Sequence, residues 1–204
     1  ARAAANDLFV TKLSNETLVY STYVGGTGNE GYVGSYTSPF GGSAALGGIA
    51  VSADGCAHVA SLSDSTDFPT PNARQPNNGG LVDAVILKLD PNGTGLVFST
   101  YQGGGSADAG MGIDVDSAGN CYVCGATASP TGIPTTNGRQ RVSGGGTDAF
   151  ITCLNGSGAV IYGTYLGGSG TDAAGGIATD GASAYVTGVT TSANVYTAFL
   201  RRML

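Results

Sequence analysis

Three carboxylates recur behind glycine pairs, and they are the side chains whose spacing could bind a metal ion. Glu30, Asp108 and Asp172 each follow a Gly-Gly pair within a repeated stretch of sequence. A ring of three carboxylates would suit Ca²⁺, which prefers several oxygen ligands. The alternative is that each carboxylate accepts hydrogen bonds from backbone amides of its own loop, as Asp does readily in turns. The dense D-x-D-x-D-G loop of calcium sites is absent from the sequence, which favours the loop role and predicts no cofactor.

The single histidine, His58, is the natural candidate for a catalytic base at neutral pH. It stands where later repeats carry Tyr122 and Tyr185, so a packing role is the better interpretation. The G-x-S-x-G motif of a serine hydrolase is absent. The Gly-Gly pairs also lack the following lysine and the helix that a phosphate-binding loop requires. We therefore expect a protein that is not an enzyme.

The four cysteines are an even number, which in an exported chain favours disulfides. Cys124 and Cys153 are expected on neighbouring strands of one unit, where they could bridge, and Cys56 with Cys121 would then link adjacent units. The alternative is four buried thiols in a reducing compartment. The spacing lacks the paired C-x-x-C motifs of a zinc site.

Three N-x-S/T sequons begin at Asn15, Asn92 and Asn155, and all lie in the same predicted turn of successive units. Asn-Gly is also a favoured hairpin turn, which is the structural alternative for the second and third. Asn15 is followed by Glu16 and lacks that explanation. On an exposed loop of an exported chain each asparagine is a candidate for glycan attachment.

Composition excludes several classes of protein. The 204 residues include 36 glycines, and 8 basic against 14 acidic residues give a net charge of −6. Eight basic side chains are too few to displace the counterions of a nucleic acid. No nucleic-acid partner is therefore expected. No run of 18 apolar residues occurs, so no membrane span is predicted.

Four short motifs recur in a fixed order and are rich in Val, Ile, Tyr, Phe and Thr. Gly, Asn, Asp or Pro bounds each copy, which is typical of short strands separated by turns. No stretch has the apolar spacing of a helix, so an all-β fold is predicted. Motif A lies at residues 49–52, 113–116 and 177–180; motif B at 58–61, 122–125 and 185–188; motif C at 7–13, 83–89, 148–154 and, more loosely, 197–204; motif D at 21–26, 99–104 and 163–168.

The motif order C, then D-A-B-C three times, predicts thirteen strands in one repeat domain spanning residues 1–204. An extra N-terminal strand and turn occupy residues 1–17, and three four-stranded units follow. These units cover residues 18–89, 90–154 and 155–204.

The sequence resembles the secreted bacterial beta-propeller repeat, whose typical unit reads DAFVAKL, LVYSTYLGG and GIAVDSAGNAYVTG. The closest stretches are residues 148–151, 162–170 and 115–123. The resemblance implies an exported, often surface-attached scaffold with no catalytic residues to transfer. Propellers close with 4–8 blades, so three units leave three outcomes open: an open arc, a part of a longer protein, or a three-sheet β-prism.

Motif C occurs four times although three units need only three copies. A spare strand presents unpaired backbone groups, which invite pairing with another chain. We expect the N-terminal copy to join subunits head to tail, and a contact of that kind that does not close produces a filament. The alternative is that the first and last copies belong to one closing sheet within the chain. The predicted interface residues in this segment are Asp7, Leu8, Phe9, Val10 and Leu13.

Aromatic residues at Tyr32, Tyr36 and Phe40 lie in an insertion of the first unit and suit a protein contact or sugar stacking. The predicted function is a structural subunit of an extracellular or cell-surface assembly, with copies of itself as partners. The alternative is an adhesion module that binds glycans or proteins, or a fragment of a larger surface propeller.

Overall fold

The protein is all-β in the computed structural model, which describes residues 5–31, 47–193 and 195. Every regular element in these residues is a strand, which confirms the predicted fold class. The strands are β1 (Leu8–Ser14), β2 (Thr17–Val24), β3 (Gly48–Val51), β4 (Ala57–Ser63), β5 (Asp83–Leu89), β6 (Leu96–Gln102), β7 (Asp108–Val115), β8 (Cys121–Thr127), β9 (Asp148–Leu154), β10 (Val160–Leu166), β11 (Asp172–Thr179) and β12 (Ala184–Thr190). The predicted strand at residues 197–204 lies outside the described residues.

The strands form two complete sheets flanked by two hairpins, and all of their pairings are antiparallel. The complete sheets have the orders β3-β4-β5-β6 and β7-β8-β9-β10, whereas β1-β2 and β11-β12 are two-stranded. Each complete sheet therefore contains motifs A, B, C and D in chain order. This arrangement is a propeller-like repeat fold.

The sheets begin at motif A, whereas the predicted sequence units begin at motif D. The units 18–89, 90–154 and 155–204 consequently straddle sheet boundaries. The first hairpin is a C-D half-sheet and the last is an A-B half-sheet. The two ends of the described chain thus carry complementary halves of one repeat.

The four sheets stack face to face, with an apolar cluster in each gap. The central strands β4, β5, β8 and β9 are buried at every position, because neighbouring sheets cover both of their faces. Between the first hairpin and the first complete sheet, Val10 and Val24 pack with Val85 and Leu87. Between the two complete sheets, Ile86 and Phe98 pack with Phe150 and Tyr165. Between the second complete sheet and the last hairpin, Tyr122 and Cys153 pack with Ala184.

The turns repeat as faithfully as the strands. Asn15 and Glu16 form the two-residue connection of the first hairpin with φ of 47° and 63°, the backbone that a type I′ turn requires. Gly55, Gly119 and Gly181 occupy the same turn between motifs A and B with φ of 82°, 82° and 84°, a region that favours glycine.

Among the described residues, no helix is long and apolar enough to cross a membrane.

Candidate assembly interface

Glu30, Asp108 and Asp172 are buried and serve as caps of their own loops. Their carboxylates accept the amides of Gly26, Gly104 and Gly168 at 3.2, 2.8 and 2.8 Å. Two hydroxyls also donate to each carboxylate: one lies at the end of the motif B strand, and the other lies two residues later in the following loop. These donors are Ser63 and Ser65, then Thr127 and Ser129, then Thr190 and Ser192.

A second carboxylate lies beside each of these caps at the gap between two sheets, and the sequence motifs did not predict this pairing. A Cβ added at Gly103 would lie 2.5 Å from Asp83 Oδ1 and 2.5 Å from Asp108 Oδ2. Since β5 and β7 belong to different sheets, this pair spans a sheet junction. The corresponding pairs are Asp7 with Glu30 and Asp148 with Asp172.

Burial raises the pKa of both carboxylates in the pair of Asp83 and Asp108. Burial, reinforced by the charge of Asp108, raises the pKa of Asp83 to about 6. Burial likewise raises the pKa of Asp148, and the charge of Asp172 adds to the effect. Burial also acts on Asp172, but hydrogen bonds from Thr190 and its loop outweigh it and lower the pKa of Asp172. No cluster of three or more potential metal ligands occurs among the residues that the structure describes.

Asp83→Asn is expected to raise the free energy of unfolding by about 1–2 kcal/mol at pH 7.5. Asp83 Oδ1 is buried without a hydrogen-bond partner and the charge of Asp108 acts on Asp83, so an uncharged amide removes a buried like-charge interaction. Because the folded pKa lies above the unfolded value, Asp83 binds its proton more tightly in the folded chain. The advantage of the variant should therefore grow as the pH rises from about 4 to about 6 and stay constant above that.

Urea unfolding at several pH values measures this difference. Asp172→Asn is the control with the opposite sign, because the folded pKa of Asp172 is lowered and its charge is stabilising. A loss of stability in both variants across this pH range would contradict the raised pKa of Asp83 in the folded chain.

His58 is fully buried, and its side chain packs in the interior of the protein. Its ring lies edge-on to Phe98 with centroids 6.5 Å apart, and burial lowers its pKa to about 4. Ser52 Oγ lies 3.1 Å from His58 Nε2 and donates to Asp54 Oδ1 at 2.5 Å. The serine therefore stands between the histidine and the carboxylate, whereas a hydrolase triad places the histidine between them.

The predicted disulfides are not formed: Cys56, Cys121, Cys124 and Cys153 are all free and buried. Cys153 pairs with Tyr122 across the sheet and Cys124 pairs with Ile151, so the two cysteines are diagonal neighbours. Diagonal positions are about 7–8 Å apart, too far for a disulfide without backbone movement. Cys56 is held in the turn before β4, where its amide donates to Asp54 Oδ1 at 3.1 Å. Burial raises the thiol pKa of Cys121 to about 12.

The sequon asparagines lie in the connections between motifs C and D, as expected. Asn15 and Asn92 are exposed and Asn155 is half-buried. Asn155 Oδ1 accepts the amides of Ser157 and Ala159, each at 3.0 Å, and so closes its loop. The left-handed backbone of Asn15 gives that residue a structural role as well. Glycan attachment at the three sites stays a prediction.

The outer face of the β1-β2 hairpin exposes side chains that are buried elsewhere in the repeat. Phe9, Leu13 and Tyr23 are 70%, 66% and 62% exposed. Their equivalents Phe150, Leu154 and Tyr165 are 0%, 0% and 2% exposed, because the preceding sheet covers them. Exposed apolar patches of this kind mark interaction sites. Of the other predicted interface residues, Asp7 and Leu8 are half-buried and Val10 is buried against the first complete sheet.

The opposite end of the stack is open in the same way. Tyr185 on β12 is 61% exposed, whereas its equivalent Tyr122 is 5% exposed beneath the last hairpin. Within the described residues, β1 and β12 each pair with a single strand, so each has one open edge. We define the N-terminal face as Phe9, Leu13 and Tyr23, and the C-terminal face as Tyr185 and Val189.

A cavity of about 790 Å³ lies beside the open edge of β12. Ile151, Tyr162 and Leu166 of the second complete sheet line it together with Val186 of β12. The predicted contact residues Tyr32, Tyr36 and Phe40 lie outside the described residues.

A family model described as the SBBP beta-propeller repeat covers residues 97–130, which run from β6 through β7 and β8. No curated protein matches the chain. The matched stretch joins motif D of one sheet to motifs A and B of the next, so the chain carries a beta-propeller repeat.

Proposed function

We propose that the chain is a non-enzymatic structural subunit of an extracellular or cell-surface assembly, and that its end hairpins join it to neighbouring subunits. The observation that carries the proposal is the exposure of the N-terminal face, since Phe9, Leu13 and Tyr23 occupy positions that are core elsewhere in the same chain. Within the described residues no second strand pairs with β1 or β12, so the outer edge of each presents backbone groups beside these faces.

The buried environment of His58 supports a non-enzymatic role. The lowered pKa of His58 keeps its imidazole neutral at physiological pH. The side chain is 0% exposed, so a substrate in solvent does not reach it. The external location rests on the resemblance to secreted repeats. Recovery of the chain from the surface fraction of its cells would support that location, and recovery from the cytosol alone would contradict it.

Sedimentation across a wide range of concentrations tests the assembly. We expect the mass of the wild-type chain to increase with concentration. Phe9→Asp should weaken association by at least about tenfold, because it places a charge at the centre of the apolar face. Leu81→Asp is the matched control, since Leu81 is 60% exposed but lies in the loop before β5, outside both faces.

Equal weakening by both variants would indicate a general effect of charge rather than a contact at the N-terminal face. A wild-type chain that stays monomeric at every concentration would contradict the proposed assembly.

A further inference from the structure

We infer that the end hairpins of two copies combine into one four-stranded blade, and that two chains close into a six-bladed ring. This inference rests on the proposed function and names its partner, a second copy of this chain. The β11-β12 hairpin of one copy supplies motifs A and B of the composite blade. The β1-β2 hairpin of the other copy supplies motifs C and D.

The register of the composite blade follows from the intact sheets. In the second sheet, Ala126 and Cys124 of β8 lie opposite Ala149 and Ile151 of β9. Val189 and Thr187 of β12 occupy the positions of the β8 residues, and Leu8 and Val10 of β1 occupy those of the β9 residues. Val189 therefore lies opposite Leu8 of the second copy, and Thr187 lies opposite Val10 of the second copy.

The cavity beside β12 receives the N-terminal face of the second copy. Its walls Ile151 and Tyr162 are the equivalents of Ile86 and Phe98 in the first sheet. Ile86 and Phe98 belong to the cluster that Phe150, Leu154 and Tyr165 complete. By the same geometry Phe9, Leu13 and Tyr23 of the second copy cover Ile151 and Tyr162.

A polar contact at the edge of the cavity fits the same arrangement. Tyr101 donates its hydroxyl to Ser65 O at 2.6 Å, and Tyr165 donates to Ser129 O at 3.3 Å. Ser192 occupies the position of Ser65 and Ser129, since all three donate to the capping carboxylate of their repeat. Tyr23 of the second copy would donate to Ser192 O.

Residues 197–204 of the same chain are the competing occupant of the β12 edge, and they match motif C at Ala198 and Phe199 but not at one buried position. Alignment on motif C places Arg201 at the position of Leu87 and Thr152, both of which are 0% exposed. A buried guanidinium without a partner is costly. The second copy has Thr11 at this position instead.

The number of blades selects the number of chains. The described residues of each chain contribute two complete sheets and two half-sheets, which together make three blades. Propellers close with 4–8 blades, so the three blades of the described residues are too few for closure, whereas those of two copies make six. Closure also removes both open edges, which an open filament would leave at its ends.

Oxidative cross-linking of mixed single-cysteine variants tests the composite blade. Val189→Cys mixed with Leu8→Cys is expected to give a covalent two-chain product from the pairs that contain one copy of each variant. Val189→Cys mixed with Phe9→Cys is the control that is out of register by one residue, and its yield should be several-fold lower. The native cysteines are buried and add little background.

The double variant Val189→Cys with Leu8→Cys distinguishes a ring from a filament. A ring gives one closed two-chain product, whereas a filament gives a ladder of longer products and would overturn closure while leaving the assembly intact. A single-chain product would show that the two ends meet within one chain and would overturn the composite blade. Preferential cross-linking of the control mixture would overturn the register. A chain that is monomeric and gives no cross-link would overturn both the inference and the proposed function.

Discussion

Phe150→Ala is expected to lower the free energy of unfolding by about 3–5 kcal/mol, whereas Phe9→Ala should change it by less than about 0.5 kcal/mol in the isolated chain. The two phenylalanines occupy the same position of motif C in different copies of the repeat. Phe150 is 0% exposed between the complete sheets, so its removal leaves a cavity there. Phe9 is 70% exposed and leaves none. Urea unfolding of both variants at a concentration below assembly measures the difference.

The pair of variants also separates folding from assembly. At concentrations where chains associate, Phe9→Ala should lose stability relative to the wild type, because the association contributes to the apparent stability of the folded chain. A loss of several kcal/mol for Phe9→Ala in the monomer would contradict an open N-terminal face. It would show that another part of the same chain already covers that face.

Gly104→Ala is expected to destabilise the chain by about 2–4 kcal/mol, whereas Gly105→Ala should have almost no effect. The two glycines are neighbours in the loop between β6 and β7. A Cβ at Gly104 would overlap the backbone oxygen of Thr131 and approach Ser129 Cβ to 2.8 Å. A Cβ at Gly105 would meet nothing within 4 Å. Gly104 must also keep its amide aimed at Asp108 Oδ2, 2.8 Å away.

Thermal or urea unfolding of the two variants checks this prediction, and each serves as the control for the other. Similar losses in both variants would indicate that the Gly-Gly loop needs backbone freedom in general. That result would contradict a specific close approach between adjacent loops at Gly104.

The strands were predictable from the sequence, but their grouping into sheets was not. Each motif has a strand-like composition and turn residues at its ends, so its existence and type follow from local chemistry. A repeated sequence does not show where one sheet ends and the next begins. The short connection at Asn15 and Glu16 is a signal that could have joined motif D to the preceding motif C, since antiparallel neighbours often share a two-residue hairpin.

The carboxylate pairs show a second limit of the sequence. Glu30, Asp108 and Asp172 were recognisable because they follow glycine pairs, and their loop role is a local property. Their partners are Asp7, Asp83 and Asp148, which begin the first three copies of motif C. Only the stacking of adjacent sheets brings Asp83 beside Asp108, and that contact depends on tertiary structure. The expected Cys124–Cys153 disulfide was wrong because adjacency of strands does not specify the register between them.

The central claim is that the two end hairpins are halves of one blade, and the mass of the assembled chain in solution tests it most directly. Sedimentation equilibrium is expected to show a species of twice the 20.0 kDa chain that forms as the concentration rises and then grows no further. A mass that stays at 20.0 kDa, or one that continues to grow beyond two chains, would contradict the closed pair.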